Sequence, residues 1–373
     1  MTTTTVPPVR TDPADPAASA PPERRRLTRA YSPVDLGLLV GSAGSALLLA
    51  WLIYYRLTPA SGWLGFLIVW YLVFVAFYYA VCRESEGKVA AVDRTVTVVV
   101  GSGAVLMFAP LGWLLTFVVV EGAHALRPTF FVADQKEVLA TDPATAGGGL
   151  HAIVGTLEQV GLAMLIAVPL SVLTAVFLNE TRSRLRRPVR IFVEAMSGLP
   201  SIVGGLFIYA ALVIPISQAT GRSGFSGSMA ALALSLIMIP TITRTLEVVL
   251  RLVPDGLREA SYALGASRAR TVWSVVLPTA RSGLTTAAVL GIARAVGETA
   301  PLIFTAFGST VFNPNPFANP QSSLPTFVFQ NVQLPNEAAR QRGFAGALVL
   351  IGVVLVLFAI TRYLGRDRSG RRP

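Results

Sequence analysis

Apolar positions along the chain gather into long, nearly unbroken runs, and the polar positions collect in the links between them. Eight runs reach the roughly 20 residues that a helix needs to cross a bilayer. They fall at about 34–55, 62–82, 95–121, 150–178, 191–217, 229–250, 282–308 and 343–362. Pro110, Pro169, Pro215, Pro240 and Pro301 interrupt several of them, which is tolerated where neighbouring helices satisfy the freed backbone. The first run is too long for a signal-peptide core and lacks a clear cleavage site, so it reads as an anchor that stays. The pattern predicts an all-α membrane protein with about eight transmembrane helices. Residues 1–33 are rich in Thr, Pro and Ala and have no apolar stretch to bury, so they read as a disordered tail; residues 365–373 form a second tail.

Composition agrees: 53% of the 373 residues are hydrophobic and 14% charged, against about 25% charged in soluble domains. The net charge of +11 changes the picture only through its placement. The N-terminal tail, the second, fourth and sixth links and the C-terminus hold 23 of the Lys and Arg residues, and the links between them hold 6. That asymmetry is the positive-inside signature and puts both termini in the cytosol. The basic excess is therefore topological, and nucleic acid is not an expected partner.

Several chemistries lack their residues. Cys82 is the only cysteine, and His124 and His151 are too far apart to suggest a metal site. Lys88 and Lys136 are the only lysines and neither sits in a phosphate-cradling G-x-x-x-x-G-K-[ST] loop. No cofactor or metal is expected, and any nucleotide must be bound by another subunit. Two links on the non-cytosolic side are long, 122–149 and 309–342, and read either as docking surfaces or as passive linkers.

Two full charges stand inside the seventh run, in GIARAVGETAP (291–301). On a continuous helix entering near Ser282, Arg294 would lie about 18 Å along, near the bilayer midplane. Each charge there costs ~2.5–3.5 kcal/mol. Glu298 is four residues on and can pair with Arg294, yet Arg before Glu is the less favourable order for helix support. The functional reading is an anion site. A guanidinium fork matches a tetrahedral oxyanion and is weakly hydrated, while Glu298 moderates the attraction and can accept a protonated phosphate oxygen. The alternative is a structural ion pair. Arg244, about seven residues from the end of its run, either lines a pathway, snorkels or pairs with Glu247. Glu158 and Glu194 receive no assignment.

Small residues recur every four positions at Ser197, Ser201 and Gly205, and again at Gly37, Gly41 and Ser45. Both sets read as close helix packing, with lining of a pathway as the alternative for the first.

The link 251–281 reads RLVPDGLREASYALGASRARTVWSVVLPTAR. Asp255 can cap one short helix, Gly265 breaks it, Ser267 can cap a second, and Leu277-Pro278 ends it. Leu257, Ala260, Tyr262 and Ala263 would then face the cytosol. Glu259-Ala260-Ser261, Gly265 six residues after the Glu, and Leu277-Pro278 together resemble the EAA loop of ABC-importer permeases. Ser261 replaces the third small residue of that motif, and Val275 stands where Ile is usual.

GGGLHAIVGTL (147–157), SGLPSIVGGLF (197–207), VPDGLREASYALGAS (253–267), ARAVGETAPLIFTA (293–306) and SSLPTFVFQ (322–330) are similar to the A-type permease of phosphate-specific ABC importers. The similarity covers roughly 95–364 and leaves the first two runs (34–82) as additions. It implies a type I ABC-importer permease core over 150–364, with Glu259, Ala260, Gly265, Leu277 and Pro278 coupling to an ATPase. It implies Arg294, Glu298 and Arg244 in the substrate pathway. The partners it implies are a homologous second permease, two ATP-binding subunits, an extracytoplasmic phosphate-binding protein, inorganic phosphate and membrane lipid, in a bacterial cell membrane. The chain itself would do no covalent chemistry. A permease for sulfate or molybdate, or a stand-alone secondary transporter, is the alternative.

Overall fold

The computed structural model describes residues 33–59 and 61–364; apart from Pro33, the tails expected at 1–33 and 365–373 lie outside them. Helices dominate, and the one extended pairing among the described residues is an isolated bridge between Phe307 and Gln321. Among the described residues, seven helices are long and apolar enough to cross a membrane, or eight if a bent pair counts as one span. Contacts divide the chain into two units, Met1–Leu111 and Gly112–Pro373.

The first unit contains α1 (Pro33–Trp51, continued by a π-helical turn at Leu52–Leu57), α2 (Trp63–Glu86) and the start of α3 (Lys88–Ala123). Ala46, Phe74, Tyr78, Cys82 and Ala91 form its small core. Arg94 joins the three helices, 2.7 Å from both Asp35 and Glu86. The small-residue stripe expected to pack in α1 does not. Gly37, Gly41 and Ser45 are exposed, whereas Ser42, Ala46 and Ala50 are buried. In a helix apolar all round, spacing alone cannot tell which side packs.

The second unit is built on α4 (Leu150–Glu180) and α8 (Gly227–Arg251), its most extensive helix pair. Ser171 Oγ donates to Ile239 O (3.2 Å) and Asn179 Nδ2 to Glu247 O (3.3 Å), both 68 positions apart. A constant offset means that the two helices run parallel. Along α4 the buried face repeats every fourth residue: Gly155, Gln159, Ala163, Ala167, Ser171 and Ala175. Short side chains on that ridge let the helix axes approach closely. Three prolines, Pro110, Pro169 and Pro240, are carried within helices.

Between α4 and α8 the expected span 191–217 is broken. An amphipathic α5 (Arg186–Gly198) stops at Leu199, and α6 (Ser201–Ile208), a π-helical turn and α7 (Ile214–Thr220) form the spanning segment 201–220. Leu199 is extended (φ −75°, ψ 130°) because the proline that follows disfavours the helical region for it. Ser197 and Ser201 therefore fall on separate helices; of the expected small-residue set, Gly205 packs, against Pro301.

After α8 come α9 (Asp255–Ala263), α10 (Arg268–Thr271), a π-helical turn, α11 (Leu277–Thr279) and α12 (Arg281–Val296). The expected span 282–308 is also broken: α12 ends at Val296, and α13 covers only Ala300–Thr305. Pro301 cannot donate to the Gly297 carbonyl, and its ring crowds it, so the chain opens there. α14 (Leu324–Val332) and α15 (Glu337–Leu364) close the unit as an antiparallel hairpin, with Gly343 against Val332 and Gly346 against Phe327.

The two long links pack on one another. Asp134 accepts the N–H groups of Phe312 (3.1 Å) and Lys136 (3.2 Å), and Gln135 N–H donates to Thr310 O (3.0 Å). The buried Arg342 guanidinium donates to the carbonyls of Leu139, Ala140, Asp142 and Pro143 at 3.0–3.3 Å. Segment 321–324 then seats on α4: Thr156 Oγ1 accepts Leu324 N–H (2.7 Å), and Gly155 lies against the Ser322 carbonyl.

Two outcomes follow from this packing. Gly155→Val should destabilise the purified protein by about 1–3 kcal/mol through overpacking, while Gly161→Val, with open space at its Cβ position, should not. Equal thermal midpoints for the two variants would refute the seating. For Asp134, the Phe312 N–H chiefly holds the carboxyl below its ordinary 3.8. Its contribution is thus complete above that value and is lost as pH falls through the lowered native pKa. Hydrogen exchange at the Phe312 amide, corrected for intrinsic rate, should lose protection on acidification below about pH 4. Asp134→Asn should remove that pH dependence.

Candidate functional site

An open cleft of about 570 Å³ lies between the α5–α6 break, α8 and α12. Phe192, Met196, Leu199, Pro200, Val203 and Phe207 form one wall, Leu236, Ile237, Pro240 and Thr241 another. Ser197 and Arg294 supply polar groups to this mostly apolar lining. Pro240 has no N–H to give Leu236, so a backbone carbonyl on this wall also lacks its helical donor.

Arg294 occupies the last turn of α12, where the negative end of the helix dipole favours a cation. Glu298 lies in the break beyond it. Their closest approach, Arg294 Nε to Glu298 Oε1, is 3.6 Å, with the Arg side chain 53% exposed and the Glu 14%. This is an ion pair too long to be a hydrogen bond. It leaves the forked end of the guanidinium without a partner among the described residues. The helix break also accounts for the order of the charges: the two residues belong to a helix end and to the link after it, not to one helical ladder.

The other ionised residues sort differently. Arg244 is exposed and has no partner among the described residues. The pairing with Glu247 does not form; that carboxylate is held by Arg190 and by Arg251 (2.5 Å). Glu158 accepts from Gln321 Nε2 at 2.5 Å, and Glu194 is exposed.

The second element is the hairpin 251–281. Pro254, not Asp255, is the N-cap of α9; Asp255 is the first helical residue and pairs with Arg258 at 3.0 Å. Gly265 has φ +80° and reverses the chain, and Ser267 Oγ caps α10 by accepting Arg270 N–H. Leu277-Pro278 does not end the helical run. Pro278 follows directly on the π-helical turn, inside the continuous helical run 268–279, and gives no N–H to that run. The chain turns only at Ala280, where 268–279 and 281–296 differ by 74°. Leu257, Glu259, Ala260, Tyr262, Ala263 and Leu264 are exposed, Pro278 is exposed and Leu277 is buried. Ser261 is buried and hydrogen-bonds Thr271 (2.9 Å), tying α9 to α10.

The family model of the binding-protein-dependent transport system inner membrane component matches residues 167–370. The chain belongs to this family. It is 38% identical over 255 residues to phosphate transport system permease protein PstA 1 of Mycobacterium tuberculosis (strain ATCC 25618 / H37Rv), covering 68% of this chain and 80% of that one. Phosphate transport system permease protein PstA of Yersinia pestis is 32% identical over 285 residues (76% and 90% covered). The probable PstA of Methanocaldococcus jannaschii is 31% identical over 276 (74% and 94%). The crystal structure of a bacterial ABC transporter involved in the import of the acidic polysaccharide alginate shares the fold, with a TM-score of 0.53, 15% identity and coverage of 74% and 96%.

In this transport-system membrane component the matched segment contains both the cleft wall from α8 and α12 and the hairpin. Among the described residues of this membrane component, Arg294 presents the one guanidinium of a mostly apolar cleft. Three contributors escaped the sequence reading: the Ser261–Thr271 tie, the Glu247 cluster and Arg258. The first had a visible signal, because a Ser in place of Ala in an exposed helix needs a partner once buried.

Gly265 gives the local test. Nothing lies within 4 Å of its Cβ position, so Gly265→Val should cost about 1–2 kcal/mol through backbone strain alone. Gly265→Asn, which tolerates the left-handed region, should lie close to wild type in thermal unfolding. Equal losses in both variants would count against this reading of the turn.

Proposed function

We propose that this permease is one half of the membrane pathway of an ATP-driven importer of inorganic phosphate. The observation that carries the reading is Arg294, an unsaturated guanidinium held in the last turn of a broken helix and presented to an apolar cleft. Its fork matches a tetrahedral oxyanion, and its weak hydration suits it to an anion that has shed water. Relatives that bear the name of phosphate transport permeases support the choice of anion. Glu298, 3.6 Å away, tempers the attraction so that the anion can leave, and accepts a hydrogen bond from the protonated oxygen that phosphate carries and sulfate lacks at neutral pH. Arg244, exposed on α8 without a partner among the described residues, is the second cation of the pathway.

In this reading a related second permease completes the pathway and an exterior phosphate-binding protein delivers the substrate. One of two ATP-binding subunits docks on the hairpin through Glu259, Ala260 and the turn at Gly265, with Leu277 and Pro278 on its returning arm. The Arg-rich links lie in the cytosol of a bacterial cell, as do both termini. Residues 34–82 are additions to a permease domain spanning 95–364, whose core is 150–364.

Substitution separates an anion site from a structural ion pair. Arg294→Gln should bring phosphate uptake to background at normal complex yield. Glu298→Gln should slow uptake by trapping, with phosphate retained on the complex, because the lone cation holds it more tightly. A structural pair predicts instead that both single changes reduce assembly and that the double change restores it. Wild-type uptake by the double variant would refute the anion site. Failure of excess sulfate to compete should accompany the phosphate reading.

A further inference from the structure

Arg258 faces neither the cleft nor the exposed face of the hairpin, yet it is the most connected side chain at this end of the bundle. Its Nε and Nη2 donate to Oε1 of Glu180 (3.3 and 3.1 Å), the last residue of α4. Nη2 also donates to Leu250 O (2.9 Å) in the final turn of α8. Nη1 donates to Val253 O (2.6 Å) and Asp255 Oδ1 (3.0 Å) on the hairpin side. One planar group thus touches the ends of both parallel helices and the start of α9.

The environment separates this contact from an ordinary surface ion pair. The Arg258 and Glu180 side chains are 15% and 13% exposed, so water screens them little. The last carbonyls of a helix have no intrahelical donor and carry the negative end of its dipole. The guanidinium supplies a donor and a charge to the carbonyl of Leu250 and a charge beside the end of α4. Covalent connection ties the hairpin to α8 through Leu252–Pro254 and to α12 through Ala280, but not to α4. Among the described hydrogen bonds and ion pairs, Arg258–Glu180 is the one that ties α9 to α4.

We propose that Arg258, anchored on Glu180, is the positioning residue that makes α4 and α8 move together when the hairpin is displaced. The proposal rests on the importer reading above, in which an ATPase displaces the hairpin. Without the joint, hairpin motion reaches α4 only indirectly, through its packing and hydrogen bonds on α8, so hydrolysis is less tightly matched to change at the cleft. Lysine cannot replace arginine fully, because a single ammonium cannot hold the Glu180 carboxylate and the Leu250 and Val253 carbonyls in one plane.

The test uses the complete transporter with its ATPase and binding protein in liposomes, and reads phosphate moved per ATP hydrolysed. Arg258→Gln should lower that ratio by about tenfold or more at normal complex yield, since breaking a shielded pair leaves its other charge unmatched. Glu180→Gln keeps the shape and should lower it by about threefold, the loss of charge assistance alone; Arg258→Lys should fall between them. A wild-type ratio in Arg258→Gln and Glu180→Gln would overturn the proposal. So would uptake and hydrolysis that decline in parallel with complex yield. If Arg258→Gln fails to assemble, the near-isosteric Glu180→Gln decides alone. Absence of phosphate uptake by the wild-type complex would refute the phosphate reading instead. The joint would then be judged by hydrolysis: loss of binding-protein stimulation in Glu180→Gln supports it, and unchanged stimulation overturns it.

Discussion

The ridge along α4 is the constraint on which the second unit depends. Every fourth residue from Gly155 to Ala175 is buried, and all but Gln159 are small. A repeat of four lags behind the 3.6-residue turn, so the ridge winds around α4 and meets different neighbours along its length. Gly155 and Gln159 meet segment 321–322, Ser171 meets the backbone of α8, and Asn179, the next position on the ridge, meets the carbonyl of Glu247. Close approach is possible only because nothing longer than alanine or serine stands in the middle of the ridge. In a bilayer, where lipid is as apolar as leucine, such packing and hydrogen bonding take over the work that water exclusion does elsewhere.

Once α4 and α8 are fixed side by side, the two broken spans are placed by contact with each other and with α8. Gly205 on α6 lies against Pro301 at the start of α13, so one break is packed on the other. α12 reaches α8 through Gly283 against Val249 and Gly291 against Ile242, an antiparallel register. Arg294, one turn beyond Gly291, is thereby turned to the wall formed by Leu236 and Pro240. Pro200 and Pro240 line the cleft, and Pro301 packs behind it on Gly205.

Hydropathy alone located most helices. Seven of the eight expected runs have a spanning helix with overlapping bounds; the broken seventh is the exception, and the fifth is displaced toward its far end. In both cases mean apolarity stayed high across a break, because Leu199-Pro200 and Gly297 are not polar interruptions. Proline and glycine carried the signal there, and residues before Pro200 and four before Pro301 were the places to apply it. The small-residue stripe in α1 failed for a related reason: spacing identifies a face that can pack but not the neighbour that uses it. The hairpin was legible because Gly265 and Ser267 act within a few residues of themselves. The Arg258–Glu180 joint was not, since it connects positions 78 apart and the sequence shows only one Arg among many.

The order of the two charges at 294 and 298 shows how the break bears on function. On an unbroken helix, Arg four residues before Glu opposes the helix dipole at both positions, and burying the pair near the midplane would add desolvation to poor geometry. Ending α12 at Val296 turns the same order into a favourable one for the arginine, which then sits at a helix C-terminus. Glu298, released from the ladder, stays within 3.6 Å without being drawn into a hydrogen bond. A tight bidentate pair would satisfy Arg294 and leave nothing for a passing anion. A loose pair leaves the half-exposed cation oriented and incompletely satisfied, the condition that the proposed transient anion binding requires.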